Sequence, residues 1–266
     1  MSVHNMAYKY DGLFDRAVDF LVKKSVSLFI TGSNACREEL KENRSLVNER
    51  VICIHHGIEP IVVEGKGTKI VPREILQGCR HITMVGIFEE RKGQRSAVLS
   101  FKELLLKYPE HRDVRLVLIG DGPLLPEVKD LTWREGLGGN VLFPGRRSDY
   151  LDYVASGLFL LYPSLCNEDL PYVIMEAMSL GIPTLGTDVA GIPEEIKDGV
   201  NGIIVSPGDI NALACAMHTL LFDSQKRRQM GLAARESFFK LFTKDRMIED
   251  YLGLYKGLKN NHNYKG

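Results

Sequence analysis

Two carboxylates, Glu168 and Glu176, bracket the stretch Asp169-Leu-Pro-Tyr-Val-Ile-Met175 and carry the clearest chemical signal in the chain. With 34 acidic residues in 266, about four pairs at this separation arise by chance, so the spacing alone decides nothing. The surroundings are more specific. The apolar run from Gly157 to Tyr162 reads as a buried strand, and Pro171 then opens a helical pattern, a position that suits proline. Glu168 is therefore expected on a loop beyond a strand, and Glu176 early in the next helix. An open α/β sheet binds its ligands there, outside the carboxyl ends of the strands. A helix N-terminus favours phosphate. A nearby carboxylate accepts charge-assisted hydrogen bonds from a sugar diol. Together they suit a nucleotide-sugar. At the level of spacing two other readings stay open. One is a solvated helix residue and a loop acid; the other is a glycosidase acid/base pair, which depends on a carboxylate separation that sequence does not give.

The elements that must position this pair follow from periodicity. From about residue 80, apolar strand-like runs alternate with helical patterns. The strands are His81–Val85, Val114–Ile119, Asn140–Phe143, Leu158–Tyr162, Thr184–Gly186 and Gly202–Val205; Ser96–Lys107 and Pro171–Leu180 are two of the helices. Such alternation predicts a parallel sheet covered on both faces. After Asp209 the pattern is helical through Leu254, and the residues from Lys259 to Gly266 read as a frayed tail. The N-terminal part reads as an amphipathic helix over Asp11–Lys24, a strand over Val26–Thr31, a short helix over Ala35–Lys41 and a strand over Val51–Ile54. The turn His55-His56-Gly57-Ile58-Glu59-Pro60 follows, and its adjacent histidines, without metal-site spacing or further ligands, read as structural.

Composition sets bounds. A chain of 266 residues holds one large domain or two small ones, and 44% hydrophobic content is ample for a core. The formal net charge of +0 gives no global basic footprint for nucleic acid or anionic membrane. Five scattered cysteines, Cys36, Cys53, Cys79, Cys166 and Cys215, lack zinc or redox spacing and point to a reduced, cytoplasmic setting. No signal peptide or membrane-spanning run is visible. Gly120-Asp-Gly122-Pro-Leu-Leu lacks the third glycine of a dinucleotide fingerprint, so these glycines read as turn residues.

An ordered series of motifs runs along the chain. It comprises Met84-Val-Gly86, Arg91-Lys92-Gly93, Gly120-Asp-Gly122-Pro123, Val141-Leu-Phe-Pro-Gly145, Glu168 to Glu176 and Gly181-Ile-Pro183. It continues through Ala190-Gly191-Ile-Pro-Glu194-Glu195, Asp198-Gly199-Val-Asn-Gly202 and Pro207-Gly-Asp209. The series resembles the retaining glycosyltransferases of the two-Rossmann-domain (GT-B) class, specifically family 4, also called group 1. The likeness covers nearly the whole chain and is strongest from about residue 80 to 210. It implies an α/β fold: a Rossmann-like parallel sheet that binds the donor, over residues 57–250, preceded by a partial N-terminal acceptor domain over 1–56. Residues 251–266 would form the terminal helix end and tail. On that analogy the chain is expected to be N-terminally truncated.

The resemblance also implies roles. Lys92 would bind the donor phosphates and offset charge on the leaving nucleotide, as a flexible cation beyond Gly86 and the first strand can. Many members carry arginine directly after this glycine, where this chain has Ile87, and Arg91 is the candidate substitute. Glu176 would hold the ribose hydroxyls, and Glu168 the donor sugar near its reacting carbon. Backbone N–H groups around Leu170, Pro171 and Tyr172 would meet phosphate or sugar, although Pro171 itself has none to give. Arg146, with Arg147, would lie near the base. His4 would face the donor sugar across the cleft. The implied activity is metal-independent transfer, with retention and no cofactor, of a sugar from a UDP- or GDP-linked donor to a glycan or lipid-linked acceptor in polysaccharide biosynthesis. The implied setting is cytoplasmic, peripheral at the inner face of the membrane where the acceptor requires it, with no nucleic acid partner. The alternative is a nucleotide-sugar-binding subunit or inactive remnant that needs a partner chain to supply the acceptor domain.

Overall fold

The computed structural model describes residues 2–3, 26, 28–44, 51–62 and 80–262. The expected helix over Asp11–Lys24, His4 and Cys79 lie outside the described residues.

Six strands form one parallel sheet: β4 (His81–Val85), β5 (Arg115–Ile119), β6 (Val141–Gly145), β7 (Leu160–Tyr162), β8 (Thr184–Thr187) and β9 (Gly202–Val205). Their spatial order is β6-β5-β4-β7-β8-β9. The chain thus winds outward from β4 in one direction, then returns and winds outward from β7 in the other. This is the doubly wound arrangement, with its switch point between β4 and β7. Strand residues are buried on both faces, as a fully covered parallel sheet requires.

Period-two alternation sorts these side chains into two cores. Ile82, Met84, Leu116, Leu118, Phe159 and Leu161 pack with α2 (Gln94–Lys107), α3 (Leu125–Arg134) and α7 (Ile210–Phe222). Leu160 and Tyr162 point the other way. They pack with α4 (Tyr150–Ser156), α5 (Tyr172–Leu180), α6 (Ile192–Glu195) and α8 (Ser224–Leu241). Asp209 and Asp223 fix the starts of α7 and α8, their carboxylates accepting from the N–H groups of Ala212 and Lys226. The last helix, α9 (Lys244–His262), carries regular structure beyond Lys259, where composition suggested a tail.

A second, three-stranded parallel sheet has the order β1 (Ser2–Val3), β2 (Phe29–Thr31), β3 (Val51–Cys53), with α1 (Asn34–Arg44) between β2 and β3. Several contacts tie it to the larger sheet's domain, a backbone bridge and an electrostatic pairing among them. Ile58 forms a bridge with Thr243, placing the segment after β3 beside the start of α9. The second is electrostatic. No acid stands in the first turn of α1, and Glu194 from α6 supplies one. Its carboxylate accepts from the backbone N–H groups of Asn34 at 2.9 Å and Ala35 at 2.8 Å, and from His55 Nε2 at 2.8 Å.

This pairing makes stability depend on pH. Hydrogen bonding to Cys53 and then to Glu194 lifts His55 from 6.5 to about 9, against its burial. Burial pulls Glu194 upward, but the bonds from His55, Asn34 and Ala35 outweigh it and hold the carboxyl at about 2, below its usual 4.5. The raised His55 contributes fully below pH 6.5 and fades as pH rises through about 9. The depressed Glu194 contributes fully above pH 4.5 and is lost as pH falls through about 2. Glu194→Gln is therefore expected to cost about 2 kcal/mol near pH 6 in chemical denaturation. That deficit should shrink as pH passes 9, and a deficit unchanged between pH 6 and 10 would contradict the charge pairing.

Candidate functional site

The loops that leave β4 and β7 at the switch point enclose a cleft of about 540 Å³, ordinary for a small-molecule site. Gly86, Arg91, Lys92, Glu168, Leu170, Pro171, Tyr172 and Glu176 all line it. Eight residues singled out from sequence thus converge on one cavity. Arg146 does not. It is exposed just past Gly145, at the end of β6 on the sheet's far edge, and is not among the lining residues. Arg147 is paired with Asp149 instead.

Glu168 is the centre of the cleft's charge. Its side chain is only 6% exposed. A single carboxylate oxygen accepts from Lys92 Nζ at 2.7 Å, Ser164 Oγ at 2.7 Å and Arg91 Nη1 at 3.0 Å. Both cations come from a short 3₁₀ turn after β4, Glu90–Lys92, so the two loops at the switch point are joined by charge. Lys92 Nζ also donates to the Tyr162 hydroxyl at 2.6 Å. Burial lowers the Lys92 pKa, with Glu168 opposing the shift. Burial likewise pushes the Tyr162 phenol well above its ordinary value, so this hydroxyl stays neutral beside the amine. The backbone at Asn167 is left-handed, with φ of 56°, a conformation asparagine tolerates better than most residues. It lies just before Glu168, where the loop turns in beneath the cleft.

Glu176 sits one turn into α5, and its Oε1 accepts from the Tyr150 hydroxyl at 2.7 Å. Burial raises its pKa, and the bond from Tyr150 opposes this. Pro171 takes the cap position rather than the first helical one, and no side chain caps this helix. Tyr172 and Val173, at the start of this helix, line the cleft between the two carboxylates, so the uncapped helix start adjoins the cavity. Ile87 is 48% exposed, while Arg91 reaches Glu168 and the carbonyl of Asn167. A cation does occupy this side of the cleft although the residue after Gly86 is apolar. Gly120 approaches that glycine so closely that a Cβ would lie 1.9 Å from the Gly86 carbonyl oxygen. Its φ of 142° lies in the region that favours glycine.

Sequence reasoning missed Tyr150, Tyr162, Ser164 and the pairing of His56 with Asp169. Tyr162 ends an apolar strand, and a polar tip at a strand's carboxyl end is a usable signal. Tyr150 and Ser164 carry none. His56 Nε2 lies 3.5 Å from Asp169 Oδ2, and its ring lies 5.7 Å from that of Tyr172. The adjacent histidines are not equivalent to a bare linker. Cys53, His55 and Glu194 place one ligand-capable atom each within 4.8 Å of one another. His4, outside the described residues, stays an expectation from the resemblance.

Residues 70–237 match the family described as glycosyl transferases group 1. The N-acetyl-alpha-D-glucosaminyl L-malate synthase of Bacillus anthracis is 32% identical over 169 residues, 63% of this chain and 43% of that protein. The O-antigen chain mannosyltransferase C of Escherichia coli is 27% identical over 79% of this chain and 55% of its own length. The chain thus spans about half the length of these relatives. Among solved structures, Anabaena HepE in complex with UDP superposes with a TM-score of 0.82 at 21% identity, over 96% of this chain and 71% of that one, a likeness of fold.

The turn carrying Arg91 and Lys92 depends on Gly93, whose φ is 74° and whose added Cβ would lie 2.0 Å from the Pro163 carbonyl oxygen. Gly93→Ala is expected to destabilise the fold by about 2 kcal/mol or more in urea unfolding, because the obstacle is backbone rather than a side-chain tip. An unchanged midpoint would contradict the close approach of these two loops.

Proposed function

The chain belongs to the group 1 glycosyl transferases, and from that premise we propose that it moves a sugar from a nucleotide-sugar donor to a glycan or lipid-linked acceptor with retention. The convergence of Lys92, Arg91, Glu168, Glu176 and an uncapped helix start on one cleft is the observation that carries this reading. A relative named as a mannosyltransferase, and a similar fold solved with UDP, support it.

In this reading Glu176 accepts hydrogen bonds from the ribose diol, and the diphosphate lies over the start of α5 beside Lys92 and Arg91. The donor's C1–O bond breaks, its electron pair passing to the diphosphate oxygen. Lys92 and the helix N–H groups stabilise that developing charge from fixed positions. Glu168 lies at the sugar end and supports positive charge on the ring. The acceptor oxygen bonds to C1 from the same face, and its proton passes to the departing phosphate. Two side-chain cations and a helix start supply the countercharge, so the mechanism uses no metal or cofactor. A lipid-linked acceptor would bring the protein to the membrane surface as a peripheral enzyme. Among the described residues no helix is long and apolar enough to cross a membrane.

Calorimetric titration with UDP, GDP and ADP tests the donor site. Saturable binding of one nucleotide, weakened at least about tenfold in Glu176→Ala, is expected, since a charge-assisted diol contact is worth about 1.5–3 kcal/mol. Binding that is the same in parent and variant would overturn the anchoring role, and no binding by the folded chain would overturn the donor site.

A further inference from the structure

We propose that His111, His218 and Glu110 form a binding site for one divalent transition-metal ion of the zinc class, at the end of the sheet opposite the cleft. His111 closes a 3₁₀ turn, Pro109–His111, that leads into β5, and His218 lies in the second half of α7. β5 runs from this end toward the cleft, and α7 follows β9 in the return direction. Both histidines therefore sit at the amino ends of the strands, remote from the donor cleft.

The three side chains present their donor atoms to one point. His111 Nε2 and His218 Nδ1 are 3.0 Å apart, and Glu110 Oε1 lies 3.9 Å from the same His218 nitrogen. All three atoms fall within 4.8 Å of one another. Two imidazole nitrogens on a tetrahedral zinc ion, each bound at about 2.0–2.1 Å, stand about 3.3 Å apart, so a few tenths of an ångström of opening admits the ion. Imidazole and carboxylate together suit zinc and its neighbours rather than calcium or magnesium. Three protein ligands leave a position for water.

The rings are held in place before any ion arrives. His111 is 2% exposed. The His218 ring stacks on Tyr108, with centroids 3.7 Å apart and planes 8° from parallel, and also packs against Phe222. Ordering these side chains on binding is therefore inexpensive. One feature limits affinity. An ion on Nε2 places the His111 ring proton on Nδ1, which is buried and finds no acceptor among the described residues. The site suits reversible binding that clips the Pro109–His111 turn to α7.

The other cluster with ligand spacing, Cys53, His55 and Glu194, is a weaker candidate. Both Glu194 oxygens already accept from N–H groups at the start of α1, and an ion would displace them.

Zinc chloride titrated calorimetrically into the untagged, reduced chain at pH 7.5, with melting temperature followed in parallel, tests the proposal. One saturable site and a raised Tm are expected in the parent and in Cys53→Ser. Both should be lost in His218→Ala and weakened in Glu110→Gln, whose side chain is exposed. His218→Ala is first checked for a native circular dichroism spectrum. If it fails to fold, Glu110→Gln decides alone. Parent-like zinc binding in the deciding variant, or no saturable binding by the folded parent, would overturn the site.

Discussion

A carboxylate buried between two loops is the constraint on which the cleft depends. Glu168 is almost withdrawn from solvent, and a carboxylate in that position is tolerated only with donors close by. Lys92, Arg91 and Ser164 meet that demand. The two cations come from the loop after β4, and the carboxylate and hydroxyl come from the loop after β7. These strands are neighbours only because the chain switches direction between them. Topology and electrostatics are therefore one fact here. The doubly wound sheet brings the loops together, and the buried charges hold them in register. The same charges line the cleft together with the uncapped start of α5.

The two ends of the sheet differ in kind. At the carboxyl end, loops carry charge, a left-handed asparagine and a helix start without a side-chain cap. At the amino end, turns are closed by aromatic and histidine packing. The junction with the smaller sheet uses charge again: Glu194 caps α1, and hydrogen bonds to Cys53 and then to Glu194 raise the His55 pKa to about 9. That carboxylate follows the Gly-Ile-Pro turn of the motif series, so a segment readable as a family signature also joins the two parts of the chain.

Much of this was legible in the sequence because it rests on local rules. The six strands of the larger sheet follow from apolar runs separated by helical periods, and each lies within a residue or two of its expected bounds, as β4 and β9 do without error. The loop position of Glu168 and the helical position of Glu176 follow from the strand before them and Pro171 between them. Long-range pairing was not legible. Nothing near Glu194 in the sequence points to α1, 160 residues earlier. Tyr150 approaches Glu176 through the packing of α4 on α5, which no local pattern encodes. Arg146 illustrates the converse. It follows a glycine at a strand end as Lys92 nearly does, but its strand is at the sheet's edge, and edge position is a property of topology.

We propose Lys92, held by Glu168, as the receptor for a diphosphate. A double-mutant cycle on pyrophosphate affinity, using Lys92→Met, Glu168→Gln and the combined variant, tests it most directly. Loss of affinity is expected in Lys92→Met, with an effect of Glu168→Gln that disappears once Lys92 is gone, a coupling of about 1 kcal/mol or more. Strictly additive effects, or pyrophosphate binding that survives Lys92→Met intact, would contradict it.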